Sequence, residues 1–326
     1  MEALSEDAAL LDHLRGKDTT QHIRSLLLLL GGGMAGIQGG AIVAALERCG
    51  LVHFTSVVGL SAGALTAAYL VAGQAAVGTS LYYEELAGKQ FINYSRIGKI
   101  LDLDFAEQLL RQGKKQLDVE AIRHSTSRLF IGVTSFPDGQ GILLDAQCPE
   151  TDLITAVKSS AAIPGLYDAP IYPIPGRRCV DGAIAFPFPI REVVAWFHPT
   201  HIVVVTNAPP HEESAVPPCE ESLFIRALRH VPSQLRQAMV QRYERFQEGL
   251  AVCNHLEGTK VFLLSPPANN LSCLTRDSRR LSQSFQASLQ ATLQTLAPTR
   301  EELQALGETS WNLWTPQEPI KSHILR

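Results

Sequence analysis

The chain has 326 residues, 45% of them hydrophobic and 18% charged, a composition that supplies a packed core and excludes general disorder. Its 28 lysines and arginines against 32 aspartates and glutamates give a formal charge of −4. No overall basic field is therefore available for a phosphate backbone, which excludes nucleic acid as a main partner.

Residues 1–20 are polar around a short Leu10, Leu11, Leu14 face and read as a leading helix or arm without chemistry. From Ile23 to Leu30 the apolar residues run without alternation, as in a strand covered on both faces, until Gly31 to Gly33 break it. A helix is predicted over Ile37 to Arg48, with Gly50 in the stop position, then a strand over Phe54 to Val58. Gly59-Leu60-Ser61-Ala62-Gly63 next opens an alanine-rich helix to Ala72. Strand, helix, strand, helix is the order of a doubly wound parallel sheet.

The middle reads as a helical region from Ser80 to Gln116, a strand at Leu129 to Phe136 and a partner strand at Ile142 to Leu144 across the turn Pro137-Asp138-Gly139. Leu153 to Ala162 is predicted helical up to Pro164-Gly165, and a short strand at Arg178-Cys179-Val180 ends in Asp181-Gly182. His201 to Thr206 is a further buried strand. The proline- and acid-containing Pro209 to Pro218 is the best candidate boundary, and the chain beyond it is mostly helical with one strand at Val261 to Leu264. The expected organisation is thus an arm over 1–20, a core over 21–208 and a mainly helical extension packed on it over 209–326.

The six cysteines, at 49, 148, 179, 219, 253 and 273, include no CxxC pair, which argues against a zinc knuckle or a disulfide-dense scaffold and for a reducing compartment. Leu26 to Leu30 is too short for a signal-peptide core, and no apolar run reaches the roughly 18 residues of a spanning helix. The expectation is a soluble, cytoplasmic protein with peripheral membrane contact.

Two segments carry chemistry. Gly59-x-Ser61-x-Gly63, between a strand and a helix, stands in the context of a nucleophile elbow, where small neighbours let a strained serine turn form and the helix points its positive end at developing charge. A glycine-rich packing turn would leave the same trace. Gly31-Gly32-Gly33-Met34-Ala35-Gly36 also leaves a strand for a helix and offers consecutive backbone N–H groups to an anion. That anion could be an oxyanion, or a nucleotide pyrophosphate, because Gly31, Gly33 and Gly36 fit Gly-x-Gly-x-x-Gly. The nucleotide reading needs an acid about 20 residues on; His53-Phe54-Thr55-Ser56-Val57-Val58 contains none. Gly33 and Ser61 lie 28 residues apart, room for one helix and one strand, so both turns are expected on one carboxyl edge. That spacing is too short for an α/β-hydrolase.

With Ser159-Ser160-Ala161-Ala162-Ile163-Pro164-Gly165 and Asp181-Gly182-Ala183, these two segments make four ordered motifs from about Leu26 to Thr206. In them the chain resembles a patatin-like phospholipase; the C-terminal third is similar only loosely, in the manner of short bacterial members. The resemblance implies a three-layer α/β/α sandwich with a mainly parallel central sheet. It implies a lipid acyl hydrolase with no cofactor and no metal, in which Ser61 is the nucleophile, Asp181 its partner, and the Gly32, Gly33 and Met34 amides the oxyanion hole. The substrate class is a lipid or phospholipid ester. One departure stands out: Ala35 occupies the place where the family usually has Arg or Lys, which leaves the backbone donors to act alone.

The residues themselves support Asp181, a carboxylate at a strand end whose burial would raise its pKa toward that of a useful base. An Asp-Gly pair is also an ordinary turn. Asp145 and Asp168 are rival carboxylates, read as solvated loop residues. A histidine triad would draw on His198, His201, His211, His230 or His255. Arg226, Arg229, Arg236, Arg242 and Arg245 against Glu244 form a basic segment, either a solvated face or a contact with an anionic bilayer. Leu281, Phe285, Leu289 and Leu293 mark an amphipathic packing helix. The competing class is a non-catalytic lipid- or nucleotide-binding protein that uses the glycine cradle.

Overall fold

The structure is a computed structural model, and it describes residues 2–17, 22–209, 231–267 and 271–296. Two short helices, α1 (Glu2–Glu6) and α2 (Ala8–Leu14), lead into β1 (Ser25–Leu29). A 3-10 turn at Gly33–Ala35 opens α3 (Gly36–Arg48), and β2 (Ser56–Leu60) runs into α4 (Ala62–Val71) across a single residue. Then come α5 (Ala75–Glu84), α6 (Leu103–Gln112), α7 (Val119–Arg123), and the hairpin of β3 (Arg128–Ser135) and β4 (Gly141–Asp145). After α8 (Leu153–Ser160) a second hairpin, β5 (Ile171–Ile174) and β6 (Arg177–Val180), leads to a one-turn α9 (Gly182–Ala185), α10 (Ile190–Phe197) and β7 (His201–Val205). The last described elements are α11 (Ser233–Val240), α12 (Arg242–Val252), β8 (Lys260–Leu264) and α13 (Ser278–Leu296).

The strands form one sheet in the order β5-β6-β3-β2-β1-β7-β8, with β4 on β3 outside this path. From β3 to β8 every neighbour along that path is parallel, while β4 and β6 run antiparallel to β3 and β5 antiparallel to β6. The cause is in the composition of the central strands: β1, β2 and β7 are buried at every position, which requires cover on both faces. Leu27, Leu29, Val203 and Val205 pack with Ile37, Ala41 and Leu81 on one side. Leu26, Leu28, Ile202 and Val204 pack with Phe186, Ile190 and Phe246 on the other. The result is a three-layer α/β/α sandwich with a mainly parallel central sheet.

Aspartates start the middle helices, as their sequence position suggests: Asp102 accepts from the Phe105 amide at 3.1 Å, Asp118 from Ala121 at 2.9 Å and Asp152 from Thr155 at 3.2 Å. The region expected to be helical from Ser80 to Gln116 is two helices, because Gly88 and Gly98 take positive φ between them and Asp102 begins a new helix. The strand β5 has no counterpart among the expected elements. It holds Pro173, which the sheet edge tolerates because no ladder partner needs its missing N–H.

The leading helices are seated, with Leu4, Leu10 and Leu14 fully buried. β8 extends the sheet beside β7, and Leu281, Phe285 and Leu296 of α13 join the larger core. Pro209 is described, but 210–218 of the expected boundary loop lies outside the described residues. Among the described residues no helix is long and apolar enough to cross a membrane.

Candidate active site

Because β1 and β2 are parallel neighbours, the turns that leave them open on the same carboxyl edge of the sheet. Ser61 stands between β2 and α4 at φ 53° and ψ −124°. A positive φ on a residue with a side chain costs about 1–3 kcal/mol and persists only where the surroundings enforce it. Here two glycines allow the crossing: a methyl at Gly59 would meet the Ala64 Cα at 2.6 Å, and one at Gly63 the Leu29 carbonyl oxygen at 2.3 Å. The Ser61 amide donates to Ser160 Oγ at 2.8 Å, and that hydroxyl donates on to the Gly132 carbonyl at 2.6 Å.

Asp181 directly follows β6 and caps α9, its Oδ1 accepting from the Ala183 amide at 2.9 Å. Its Oδ2 accepts a hydrogen bond from Ser61 Oγ at 2.6 Å. The backbone is held as well: the Asp181 amide donates to the Ala162 carbonyl at 3.0 Å, and the Asp181 carbonyl accepts from Thr134 Oγ1 at 2.7 Å. Ser61 and Asp181 are 4% and 3% exposed. Burial pushes the Asp181 carboxyl up to about 6, against the opposing pull of the Ser61 hydroxyl, the Ala183 amide and the Arg242 charge. The group is still ionised at neutral pH, and more basic than an ordinary carboxylate.

The glycine-rich turn touches the serine: a methyl at Gly31 would lie 2.9 Å from Ser61 Cβ. Asn207, just beyond β7, bolts it down. Its Nδ2 donates to the Leu30 and Gly31 carbonyls at 2.8 and 2.9 Å, and its Oδ1 accepts from the Gly39 amide at 3.2 Å. Among the described residues the Gly32 and Gly33 amides have no partner, whereas the Met34 amide donates to the Cys273 carbonyl at 2.9 Å. Of the three expected donors, one is therefore engaged in this conformation. Ala35 is buried within the apolar core, so no basic side chain reaches this turn from that position.

Beside Ser61 opens a cleft of about 780 Å³, counted to its open mouth, whose walls include Leu65, Leu81, Phe91, Leu110 and Val157. These side chains come from α4, α5, α6 and α8 and the loop between α5 and α6. Helix α6 turns its apolar side to the cleft and is fastened by ion pairs: Lys158 lies 2.7 Å from Glu107, both on the cleft wall, and Arg111 lies 2.7 Å from Asp152.

The other candidates lie elsewhere. His201 begins β7, at the opposite edge of the sheet from Ser61, with Asp7 at 3.6 Å; His198 and His255 are exposed, and His211 and His230 lie outside the described residues. Asp145 pairs with Arg128, and the exposed Asp168 accepts from the Gly165 amide at 2.7 Å. Of the basic segment, Arg226 and Arg229 lie outside the described residues, Arg236 and Arg242 are exposed, and Arg245 donates to the Ala185 carbonyl at 2.7 Å. Leu235 and Met239 of α11 pack on Val180 and Ile184, either side of Asp181.

Comparison with known families gives a match to the one described as patatin-like phospholipase, over residues 27–194. The chain belongs to the patatin-like phospholipase family. The matched region holds both glycine-rich turns, the Ser159 to Gly165 stretch and Asp181. A human relative, patatin-like phospholipase domain-containing protein 2, is 29% identical over 187 residues, which cover 55% of this chain and 34% of that protein. The chain thus spans about a third of the length of the curated relative it matches. Among solved structures, VipD from Legionella pneumophila is similar at a TM-score of 0.42 and 14% identity, covering 82% of this chain and 66% of that one. The type III effector protein ExoU is similar at 0.34 and 16%, covering 83% and 53%.

Three side chains of this edge escape motif reading: Ser160, Thr134 and Asn207. Ser160 sits inside a motif but beside an identical neighbour. Thr134, beside Ser135, and Asn207, beside Thr206, stand where apolar strands turn polar, and that change is the only signal they leave.

Proposed function

We propose that this chain is a lipid acyl hydrolase that cleaves carboxylic esters through a Ser61–Asp181 dyad. The observation that carries the reading is the 2.6 Å hydrogen bond from Ser61 Oγ to Asp181 Oδ2, made by a strained serine at the edge of an apolar cleft. Asp181 takes the Ser61 proton as Oγ bonds to the acyl carbon. The oxyanion that forms is met by the unpartnered Gly32 and Gly33 amides, each such donor being worth about 3 kcal/mol. Collapse breaks the ester C–O bond, and the proton on Asp181 passes to the leaving alcohol. Water, deprotonated by the same carboxylate, then attacks the acyl-serine; the bond from Oγ to the acyl carbon breaks, the fatty acid leaves, and the proton on Asp181 returns to Ser61 Oγ.

The cleft supports the substrate class. Its walls are almost entirely apolar, with Leu65, Leu81, Phe91 and Leu110 among them, and such walls suit a hydrocarbon chain. Peripheral membrane contact is supported by the α11–α12 corner. There Val240 and Tyr243 are 62% and 52% exposed, Arg236 and Arg242 are exposed beside them, and the charge of Arg242 reaches Asp181. Apolar and basic side chains together suit an anionic bilayer surface. The test is fatty-acid release from a panel of phospholipids, lysophospholipids and acylglycerols by purified protein, with Ser61→Ala as the blank. Ser61-dependent release from at least one lipid is expected. Lipid binding without release would favour the non-catalytic module.

A further inference from the structure

We propose that Ser160 and Thr134 are positioning residues, which set the distance between Ser61 and Asp181 by pinning both partners to the same strand, β3. The inference rests on the dyad reading above. Ser61 and Asp181 arrive from β2 and β6, and β3 lies between those strands in the sheet. In the register, Leu60 lies opposite Gly132, and Val180 lies opposite Thr134. Each functional residue is therefore the first one past the end of its ladder with β3, where sheet hydrogen bonds no longer fix the backbone. A buried hydroxyl takes over at each point.

Ser160 Oγ accepts from the Ser61 amide at 2.8 Å and donates to the Gly132 carbonyl at 2.6 Å. Thr134 Oγ1 donates to the Asp181 carbonyl at 2.7 Å and accepts from the Ala185 amide at 3.1 Å. Gly132 and Thr134 are two residues apart, so they present the same face of β3. Both hydroxyls are fully buried, and each makes one donated and one accepted bond. The adjacent Ser159 is equally buried, yet its Oγ has no partner among the described residues. The two neighbouring hydroxyls at the end of α8 thus differ, and only the one at 160 is tied to the elbow. Removing it leaves the Ser61 amide without its acceptor and the positive-φ turn without a tie to β3.

The experiment compares Ser160→Ala, Thr134→Val and the control Ser159→Ala in the full chain, with kcat and KM on a soluble short-chain ester measured across pH. Ser160→Ala and Thr134→Val are expected to lower kcat by about 10- to 100-fold, with KM within about twofold, because misplaced reacting groups cost rate rather than affinity. The acid limb of the profile should move upward from about pH 6, since a weakened Ser61 hydrogen bond no longer holds the carboxyl down. Ser159→Ala should match the wild type in all three. Folded Ser160→Ala with kcat within twofold of wild type overturns the inference, as does an equal loss in Ser159→Ala. Should circular dichroism show Ser160→Ala unfolded, the near-isosteric Thr134→Val decides by the same criteria. A wild type with no Ser61-dependent turnover would overturn the dyad reading itself, and this inference with it.

Discussion

Asp181→Asn separates what the carboxylate does for catalysis from what it costs the fold. The carboxyl is 3% exposed, and its pKa rises from 3.8 to about 6 because burial disfavours the charge. At 1.36 kcal/mol per pH unit, holding the ionised form costs the native state on the order of 3 kcal/mol above pH 6. The sign comes from proton counting: between about pH 4 and pH 6 the native state binds more protons than the unfolded chain, so this contribution to stability falls as pH rises. Asparagine keeps the shape and an acceptor for the Ala183 amide but carries no charge. At pH 8 the variant should therefore melt higher than wild type, by about 6 °C at about 2 °C per kcal/mol, and the gap should close toward pH 4. Ester turnover should fall by about 10²- to 10⁴-fold, the contribution of a positioned general base. Thermal unfolding at the two pH values, with activity on a soluble ester, reads both. A variant that melts below wild type at pH 8, or a gap independent of pH, would refute the burial argument; unchanged turnover would refute the base assignment.

The same geometry sets other outcomes. The kcat/KM profile of wild type should drop on the acid side with a midpoint near pH 6, the pKa of Asp181 in the free protein; a midpoint near 4 would contradict it. Leu65→Trp fills the cleft one helical turn beyond Ser61, and should cut turnover of long-chain esters by about 10-fold or more while short-chain esters stay within about twofold. Equal losses on both would deny the cleft an acyl role. Val240→Asp with Tyr243→Asp should weaken sedimentation with anionic phosphatidylglycerol vesicles by about 10-fold and leave soluble-ester kcat unchanged; undiminished vesicle binding would remove the α11–α12 corner as the contact.

Much of the frame is legible in the residues because it depends on local pattern. Unbroken apolar runs at Leu26 to Leu30 and Ile202 to Val205 can be stable only with cover on both faces, and that condition leads to a parallel sheet between helix layers. Gly59, Gly63 and the glycines from 31 to 36 mark close approaches that no side chain fits. Asp181-Gly182 is ambiguous by itself, and acquires meaning when the fold brings it across 120 residues to Ser61.

The features that escape reading depend on distant partners. Nothing near Met34 announces that its amide is held by the Cys273 carbonyl. Thr134 looks like an ordinary strand residue until Val180 lies opposite it. Pro173 disguises β5, because a proline argues against a strand unless its place at the sheet edge is known. The helix expected across Ser80 to Gln116 fails at Gly88 and Gly98, where positive φ serves a loop packed against the segment around Leu166 to Asp168.

The central claim, that Ser61 is a nucleophile made reactive by Asp181, is tested most directly by a fluorophosphonate probe with intact-mass and peptide analysis of the product. The account predicts one adduct per chain, located on Ser61, absent from Ser61→Ala and formed far more slowly in Asp181→Asn. An adduct that persists in Ser61→Ala, or a folded wild type that takes up none, would contradict it.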